Sequence, residues 1–261
     1  MMIDEGVQAH LAKVYAIWLR EFKVFLREKS RLVASTFTPI LWLFVIGSGI
    51  GSATSVSVAQ GHNDYQQFIF PGIVSMSIIF TSVFYGSYII WDRKFDFLKS
   101  VMVAPVSRGA VFVGKTLGGM TNSLVQALIL LAIGAAIGIP LTPLSVVQAI
   151  AVILLMSFGL TSLGLALGSY MYSLEGFQMI VSFVVFPLFF LSGALFPLDN
   201  LPAWLSVLTA IDPATYGVSA MRATMLGIDA QSAAFNFAVL TAYTGALGLF
   251  GIYSFKRMKA V

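Results

Sequence analysis

Residues 116–174 decide the fold, and they read TLGGMTNSLVQALILLAIGAAIGIPLTPLSVVQAIAVILLMSFGLTSLGLALGSYMYSL. These 59 residues contain no Asp, Glu, Lys, Arg or His, whereas a helix that crosses a bilayer needs only about 20 apolar residues. Pro140 and Pro143 interrupt the stretch, and proline breaks a helix because it lacks a backbone donor. The stretch therefore predicts two membrane-spanning helices joined by a short turn.

Further runs without Asp, Glu, Lys or Arg lie on both sides of this stretch, at 32–63, 65–91, 176–198 and 230–255. Only 10% of the residues are charged, against about a quarter in ordinary soluble domains. We therefore expect an all-α polytopic membrane protein, with residues 1–261 forming one transmembrane domain. The predicted spans lie near 32–52, 68–90, 117–139, 146–172, 177–197 and 233–255.

This composition also excludes several classes of protein. A soluble enzyme is excluded by the apolar content of 58%, and a disulfide scaffold by the absence of cysteine. An outer-membrane barrel is disfavoured because the apolar runs are continuous rather than alternating.

The basic residues indicate the orientation of the chain. All but one of the 15 Lys and Arg residues lie in the N-terminal segment, in the loop 92–115 or in the C-terminal tail, and only Arg222 lies elsewhere. Because Lys and Arg concentrate in cytoplasmic loops, both termini and the 92–115 loop are predicted to be cytoplasmic. The expected location is the cell membrane, inner or plasma, with multiple passes and with membrane lipids as partners.

The segment 8–30 precedes the first span and has no apolar core typical of a signal peptide. Trp18, Phe22 and Phe25 fall on one helical face, whereas Arg20 falls on another. This pattern is typical of an amphipathic helix in the headgroup layer. Such a helix could be a surface anchor or a lever that links a cytoplasmic partner to the first span, and periodicity does not separate the two.

The six predicted spans contain no Asp, Glu, Lys, Arg or His. Proton-coupled transporters need titratable groups at membrane depth, so a proton relay of side chains is not expected, although sodium coupling through carbonyl and hydroxyl groups stays open. With no cysteine and two histidines, neither a catalytic residue nor a metal site is predicted. The energy for any transport is therefore expected to come from outside the spans.

Residues 109–116, GAVFVGKT, match the phosphate-binding pattern GxxxxGK[ST]. We reject this reading because such a loop needs a preceding buried strand in a soluble α/β domain, and here the following helix enters the bilayer. No nucleotide cofactor is expected on this chain, and Lys115 is interpreted as an anchor at the level of the headgroups.

The loop 92–115, which we call the elbow, is long for a connection. Phe95 and Leu98 are spaced for one helical face, and Ala104-Pro105 is expected to end that helix. Ser107 is placed to cap a second helix. The elbow could be a solvated hairpin or a docking site for a soluble protein.

Residues 199–229, the exit-side segment, are predicted to form two short amphipathic helices that lie in the interface or re-enter it. Asp199-Asn200 is expected to cap the first, which carries Trp204, and Asp212-Pro213 the second. Arg222 is expected to pair with Asp212 or Asp199, or to contact lipid phosphate, with structural pairing preferred.

Three stretches resemble the permease subunit of ABC-2 type exporters. They are Tyr65-x-x-Phe68-x-x-Pro71-Gly72, then Asp92-Arg93-x-Phe95-x-Phe97-Leu98 with Val103-Ala104-Pro105-Val106-Ser107-Arg108, and finally Ser192-Gly193-Ala194-Leu195-Phe196-Pro197 with Leu201-Pro202-x-Trp204-Leu205, Asp212-Pro213-x-x-Tyr216 and Arg222. The three stretches occur in order around the six predicted spans, so the resemblance covers the length of the chain. The family pattern usually has Gly at the position of Asp96 and Asn at the position of Asp212.

The resemblance implies a permease dimer, a homodimer or a heterodimer with a paralogue, that works with two copies of an ABC ATPase subunit. ATP and Mg would be bound by that ATPase, and no nucleic acid is involved. The residues implied to dock the ATPase are Asp92, Arg93, Phe95, Asp96, Phe97, Leu98, Ala104, Pro105, Val106, Ser107 and Arg108, with Glu175 in a second cytoplasmic contact. The residues implied to gate the exit side are Phe196, Pro197, Trp204, Asp212, Pro213, Tyr216 and Arg222.

The function expected from this resemblance is ATP-driven export of an amphipathic or lipophilic compound or a lipid-linked glycan. The sequence of the elbow most resembles that of the branch that exports drugs and lipophilic compounds. The alternatives are an ion-coupled secondary transporter and a non-transporting membrane scaffold. A lipid-modifying enzyme is less well supported, because Arg222 and Asp212 alone would have to supply its polar site.

Overall fold

The computed structural model of the chain describes residues 2–53, 65–103, 106–198, 201–228 and 230–258. Within these ranges all regular structure is helical. The helices are α1 (Met2–Arg27), α2 (Lys29–Ala53), α3 (Tyr65–Phe84), α4 (Ser87–Lys94), α5 (Phe97–Val103), α6 (Arg108–Ala136), α7 (Pro143–Tyr170), α8 (Leu174–Leu191), α9 (Ala203–Ile211), α10 (Pro213–Leu226) and α11 (Ala233–Arg257), with a 3₁₀ turn at Ala230–Ser232.

Six helical stretches of the described chain are long and apolar enough to cross a membrane. They are Lys29–Gly49, Tyr65–Lys94, Arg108–Ala136, Pro143–Tyr170, Leu174–Leu191 and Ala233–Arg257. The predicted class, an all-α polytopic membrane protein with six spans, is confirmed. The second stretch is α3 continued by α4, and it extends past the predicted end of that span to Lys94.

Local sequence sets several helix boundaries. The Ser107 hydroxyl accepts a hydrogen bond from the Ala110 amide at 3.2 Å and caps α6, as predicted. Thr142 and Ser145 form a capping box around Pro143, which takes the first position of α7. The predicted break at the two prolines therefore lies between α6 and α7, where Gly138 adopts a φ of +90°.

The bundle is organised around α3, which is buried along most of its length. It packs against α2, α6, α7, α8 and α10. At its junction with α4, a Cβ atom on Gly86 would overlap the carbonyl oxygen of Gly164 in α7. Gly164 and Gly168 both pack on this junction, so this pair of small residues serves contact between helices of one chain.

The two ends of the bundle carry the segments that the sequence singles out. The elbow, the turn between α7 and α8 and the last residues of α11 lie together at one end, where Arg93 and Arg108 bridge them. The exit-side segment lies at the opposite end, against the beginning of α3 and the end of α8. The helix α1 packs along α6.

Candidate functional site

Four charged side chains from three helices meet where the elbow begins and ends. Arg20 and Glu21 lie on α1, Asp92 near the end of α4 and Lys115 in the second turn of α6. The Arg20 guanidinium lies 2.9 Å from an Asp92 oxygen and 2.6 Å from a Glu21 oxygen. The Lys115 ammonium lies 3.0 Å from Glu21 and also pairs with Asp92. We call these four residues the charge cluster; it has no net charge.

Two aromatic side chains complete the charge cluster. The Tyr85 hydroxyl donates to the second carboxylate oxygen of Glu21 at 2.7 Å. Phe97 is the first residue of α5, and the centroid of its ring lies 3.5 Å from the Arg20 guanidinium in a cation–π contact. The cluster thus joins α1, the α3–α4 junction, α5 and α6.

The electrostatics of Glu21 follow from its surroundings. Burial alone would raise its pKa, but the Lys115 ammonium, the Tyr85 hydrogen bond and the Arg20 guanidinium outweigh burial and hold the pKa of Glu21 below its usual value. Burial likewise acts to lower the pKa of Arg20, and the carboxylates of Asp92 and Glu21 reverse that effect. Both groups are therefore charged at neutral pH.

The interpretation of Lys115 as an anchor in the headgroup layer is wrong. Its side chain is 0% exposed and is ion-paired on two sides. The reason is the close docking of α1 on α6, where Ile17 and Glu21 lie against Gly114 and Gly118. The small glycines bring α1 over Lys115, so the ammonium finds carboxylates instead of lipid phosphate.

The elbow bends sharply at Asp96, and the residues on the two sides of this bend differ in exposure. Asp96 has a left-handed φ of +56°, the region in which glycine is most easily accommodated. The bend leaves Phe95 70% exposed and turns Leu98 inward to 2% exposed. Leu98 and Asp92 therefore support the elbow from inside, and their side chains are not displayed to a partner as docking would need.

The remaining residues predicted to dock the ATPase divide by exposure. Asp96, Ser107 and Arg108 are exposed, whereas Arg93, Phe97 and Val106 are half-buried. Ala104 and Pro105 lie outside the described residues.

Arg93 joins the two predicted cytoplasmic contacts. Its guanidinium donates to the carbonyl of Met171 at 2.6 Å and to that of Ser169 at 3.1 Å, and it lies 4.7 Å from the Tyr172 ring centroid. These residues form the turn that leads into α8, whose exposed Glu175 lies in the first helical turn. The elbow and the Glu175 turn therefore present one surface.

Arg108 holds the other end of the elbow. It donates to the carbonyls of Lys256 at 2.5 Å and Met258 at 3.1 Å, at the end of α11. Cationic donors at the last carbonyls of a helix satisfy acceptors that have no partner within that helix. The elbow is thus fixed to α7 by Arg93 and to α11 by Arg108.

The predicted interfacial helix has a docked face and an open face. Trp18 is half-buried, donates from its indole nitrogen to the Thr121 hydroxyl at 3.0 Å and stacks on Phe22. Phe25 is also half-buried, whereas Leu11 and Tyr15 are exposed. The docked face carries Glu21 of the charge cluster, so the helix does more than rest on lipid.

At the opposite end, Arg222 of α10 reaches the irregular chain after α8. Its guanidinium donates to the Gly193 carbonyl at 2.9 Å and lies 4.2 Å from the Phe68 ring centroid. The Asp212 carboxylate instead accepts from the Ala214 amide at 2.8 Å. Pairing of Arg222 with Asp212 was therefore the wrong expectation, and the Asp199 alternative lies outside the described residues.

The same end brings together motifs that are distant in sequence. The Tyr65 hydroxyl donates to the Leu195 carbonyl at 2.9 Å, and a Cβ atom on Gly72 would overlap the Ala194 carbonyl oxygen. Gly193 has a left-handed φ of +72°, which turns the chain at this contact. The beginning of α3 and residues 192–197 thus fit as one unit through backbone contacts.

The other exit-side residues lie around this unit. Asp212 caps α10 and Pro213 takes its first position, as predicted. Burial raises the pKa of Asp212 to about 7, against the opposing hydrogen bond from the Ala214 amide. Tyr216 donates to the Ala210 carbonyl at 2.7 Å, and Phe196, Pro197 and Trp204 are exposed. The capping pair predicted for α9, Asp199-Asn200, lies outside the described residues, and Pro202 takes the N-cap position.

The sequence patterns do not single out Glu21 or Tyr85. A signal for Glu21 exists, because it lies three residues after Trp18 and so on the same helical face. An acidic residue on the apolar face of a basic helix indicates a buried cationic partner. The identity of that partner, 94 residues away, is set by the tertiary fold.

Comparison with known proteins gives one family. Residues 12–226 match the family described as ABC-2 type transporter. The inner membrane transport permease YadH of Escherichia coli K12 is 27% identical over 237 residues, which cover 90% of this chain and 91% of YadH.

Two further relatives belong to other organisms. The transport permease ycf38 of Cyanophora paradoxa is 27% identical over 214 residues, covering 81% of this chain and 73% of that relative. Nodulation protein J of Rhizobium leguminosarum is 24% identical over 231 residues, covering 87% and 88% respectively.

Proposed function

We propose, from the premise that this chain belongs to the ABC-2 type transporter family, that it exports an amphipathic or lipophilic compound or a lipid-linked glycan from the cytoplasm. The chain is the membrane permease subunit of an ABC transporter and not an enzyme in itself. The finer points of the proposal are the direction of transport, the cargo, a dimeric permease with two ATPase copies, and cytoplasmic termini. ATP and Mg would be bound by the partner ATPase, and this chain would work in the inner or plasma membrane.

The observation that carries the proposal is the single surface built by Arg93. It unites the elbow with the Glu175 turn, and exposed Phe95 and Tyr172 lie on it. Exposed aromatic side chains on a rigid, charged surface are the usual anchors of a protein interface. An ATPase seated there would displace the elbow, and the charge cluster would pass that displacement to α1 and α6.

In this mechanism the elbow residues have different roles. Phe95 contacts the ATPase, whereas Leu98 and Phe97 hold the elbow against α1 and the bundle. At the opposite end, Trp204, Tyr216 and Arg222 belong to the proposed gate. ATP-driven closure of the two ATPases would draw two elbows together and open a route between the two permeases.

The test uses the ABC ATPase that co-purifies with the chain from its native membrane. In proteoliposomes, we expect Phe95→Ala to lower permease-stimulated ATP hydrolysis by about tenfold or more, the effect of removing a central aromatic anchor. Phe235→Ala is the matched control, because Phe235 is also exposed but lies on α11 near Tyr216, far from the elbow.

Full stimulation by the Phe95→Ala permease would refute docking through this surface. Uphill flux driven by an ion gradient without any ATPase would indicate a secondary transporter. Failure of any ATPase to co-purify would favour a scaffold.

A further inference from the structure

A cleft of about 280 Å³ opens between the end of α1, α2, α3 and α6. One wall is apolar and includes Phe25, Met76, Phe80 and Phe84. The volume lies at the lower end of the range for drug-sized sites, about 300–1,000 Å³. The cleft is separate from the elbow surface and from the exit-side unit, and neither uses its residues.

An amide without an intramolecular partner faces this cleft. Asn122 of α6 lines it and is only 8% exposed. Its carboxamide makes no hydrogen bond with the described residues, and its polar atoms are reached from the cleft. Buried polar groups in native proteins are nearly always hydrogen-bonded, and a membrane span offers no bulk water to satisfy one. An amide that opens into this cleft is therefore available to a bound molecule with hydrogen-bonding groups.

Two of the neighbouring polar side chains, Gln126 and Glu28, are already engaged. Gln126 accepts from Thr81 and donates to the Ser35 carbonyl at 2.7 Å. At the mouth, Glu28 accepts from the Tyr88 hydroxyl at 2.5 Å and pairs with Arg31 at 3.6 Å. The mouth thus offers no unpaired cation for a phosphate, and the Asn122 amide and the Thr38 hydroxyl, which also lines the cleft, are the groups left to recognise a ligand.

We infer that this cleft binds a small, uncharged amphiphile dissolved in the membrane, with its apolar body against the phenylalanines and one hydroxyl, amide or amine on Asn122. An amide both donates and accepts, so any of these groups can pair with it. The inference rests on the proposed function in one respect, namely that this occupant is the cargo before export. Its position beside the α1–α2 junction, next to the elbow, suits a first binding site within one permease.

The absence of cysteine from the sequence allows a thiol to be placed at the cleft. Thr38→Cys introduces it in the lining of the cleft, and Phe37→Cys introduces the control thiol on the adjacent, exposed position of α2. The full-length permease in phosphatidylcholine nanodiscs is treated with N-ethylmaleimide. The probe is N-phenyl-1-naphthylamine, a neutral aromatic molecule with one N–H group. We expect the probe to slow modification of the Thr38→Cys variant several-fold and saturably, and to leave the Phe37→Cys variant unaffected.

A second substitution tests the role of the amide. In the Thr38→Cys background, Asn122→Leu keeps the branched shape of the side chain but removes the hydrogen bond, and we expect the probe concentration for half-protection to rise about tenfold. Asn236→Leu is the matched control, because Asn236 is an equally buried amide on α11 that bonds Ser232 at 3.3 Å. It should leave protection unchanged.

Three results would overturn the inference. One is equal protection of the two thiols, and another is protection that Asn122→Leu does not weaken. The third is a Thr38→Cys thiol that is shielded before the probe is added, which would identify a phospholipid chain as the occupant. The assay needs no ATPase, so loss of probe binding with intact ATPase stimulation refutes the cleft alone, and the reverse result refutes the proposed function alone.

Discussion

The elbow end and the exit-side end are held by different kinds of interaction. The elbow rests on the charge cluster, in which two cations and two carboxylates from three helices neutralise one another. At the exit-side end, Tyr65 and Arg222 donate hydrogen bonds to backbone carbonyls. Gly72 also packs closely against the backbone of Ala194.

This difference has a mechanical consequence. Removing one partner of a buried ion pair costs several kcal/mol, so we expect α1 and α6 to follow the elbow if a bound ATPase displaces it. Backbone hydrogen bonds at a turn have a smaller net value, about 1 kcal/mol each. The exit-side end can therefore rearrange at lower cost, which suits a region proposed to open.

The largest effect is expected in the charge cluster. Lys115→Met leaves a buried carboxylate without its partner and should lower the free energy of unfolding by about 3–5 kcal/mol. The measurement is the thermal or denaturant midpoint of the purified permease in detergent. The double variant Asp92→Asn with Lys115→Met removes one charge of each sign and should recover most of the loss. A double variant as unstable as the single one would show that packing, not charge, holds the elbow.

The next effect belongs to the exit-side end. Gly72→Ala places a Cβ atom on the Ala194 carbonyl oxygen, and such overpacking costs about 1–3 kcal/mol. Gly245→Ala is the control, since a Cβ atom there meets nothing within 4 Å. The same unfolding assay should show a loss for the first variant only. Equal stability of both variants would mean that α3 does not lie close to residues 192–197.

A smaller effect is expected at the bend of the elbow. Because Asp96 has a left-handed φ of +56°, Asp96→Gly should raise the free energy of unfolding by about 0.5–1 kcal/mol. Asp96→Ala, which keeps a Cβ atom and loses the carboxylate, should not be stabilising. If both variants proved equally stable, the backbone at this position would not be strained. Denaturant midpoints are sufficient to separate the two.

The last prediction concerns the pH dependence at the exit-side end. Burial raises the pKa of Asp212 from 3.8 to about 7, so the folded state holds this proton more tightly than the unfolded state. Asp212 therefore makes its full contribution to the free energy of unfolding below pH 3.8, and this contribution is lost as the pH rises to about 7. Asp212→Asn keeps an N-cap acceptor and should remove that fall. Parallel pH profiles for the two proteins would contradict the raised pKa.

Much of the fold follows from local sequence. The charge-free runs, the prolines between α6 and α7 and the caps at Ser107 and Asp212 each depend on residues that are neighbours in the chain. Such local signals are reliable because, in lipid, the backbone groups of a span must form their hydrogen bonds within the same helix. The class and the span number could therefore be predicted before the structure.

The site could be predicted only in part. The exposed part of the elbow was indicated by its length and composition, but Lys115 was misplaced because its partner Glu21 lies 94 residues away. The prediction that Arg222 pairs with Asp212 is wrong, because the fold brings its guanidinium to the Gly193 carbonyl and the Phe68 ring. The other predicted carboxylate, Asp199, lies outside the described residues. Long-range pairing depends on how helices dock, and a single sequence does not show that.

The central claim is that force from a separate ATPase reaches this chain through the elbow, and cross-linking tests it most directly. Phe95→Cys and Phe235→Cys place single thiols at opposite ends of a chain that has no other. Each variant is treated with a short bismaleimide in the purified complex with its ATPase. We predict that the Phe95→Cys permease is joined to the ATPase in an ATP-dependent yield and that the Phe235→Cys permease is not. A cross-link from the Phe235 position, with none from the Phe95 position, would contradict docking at the elbow.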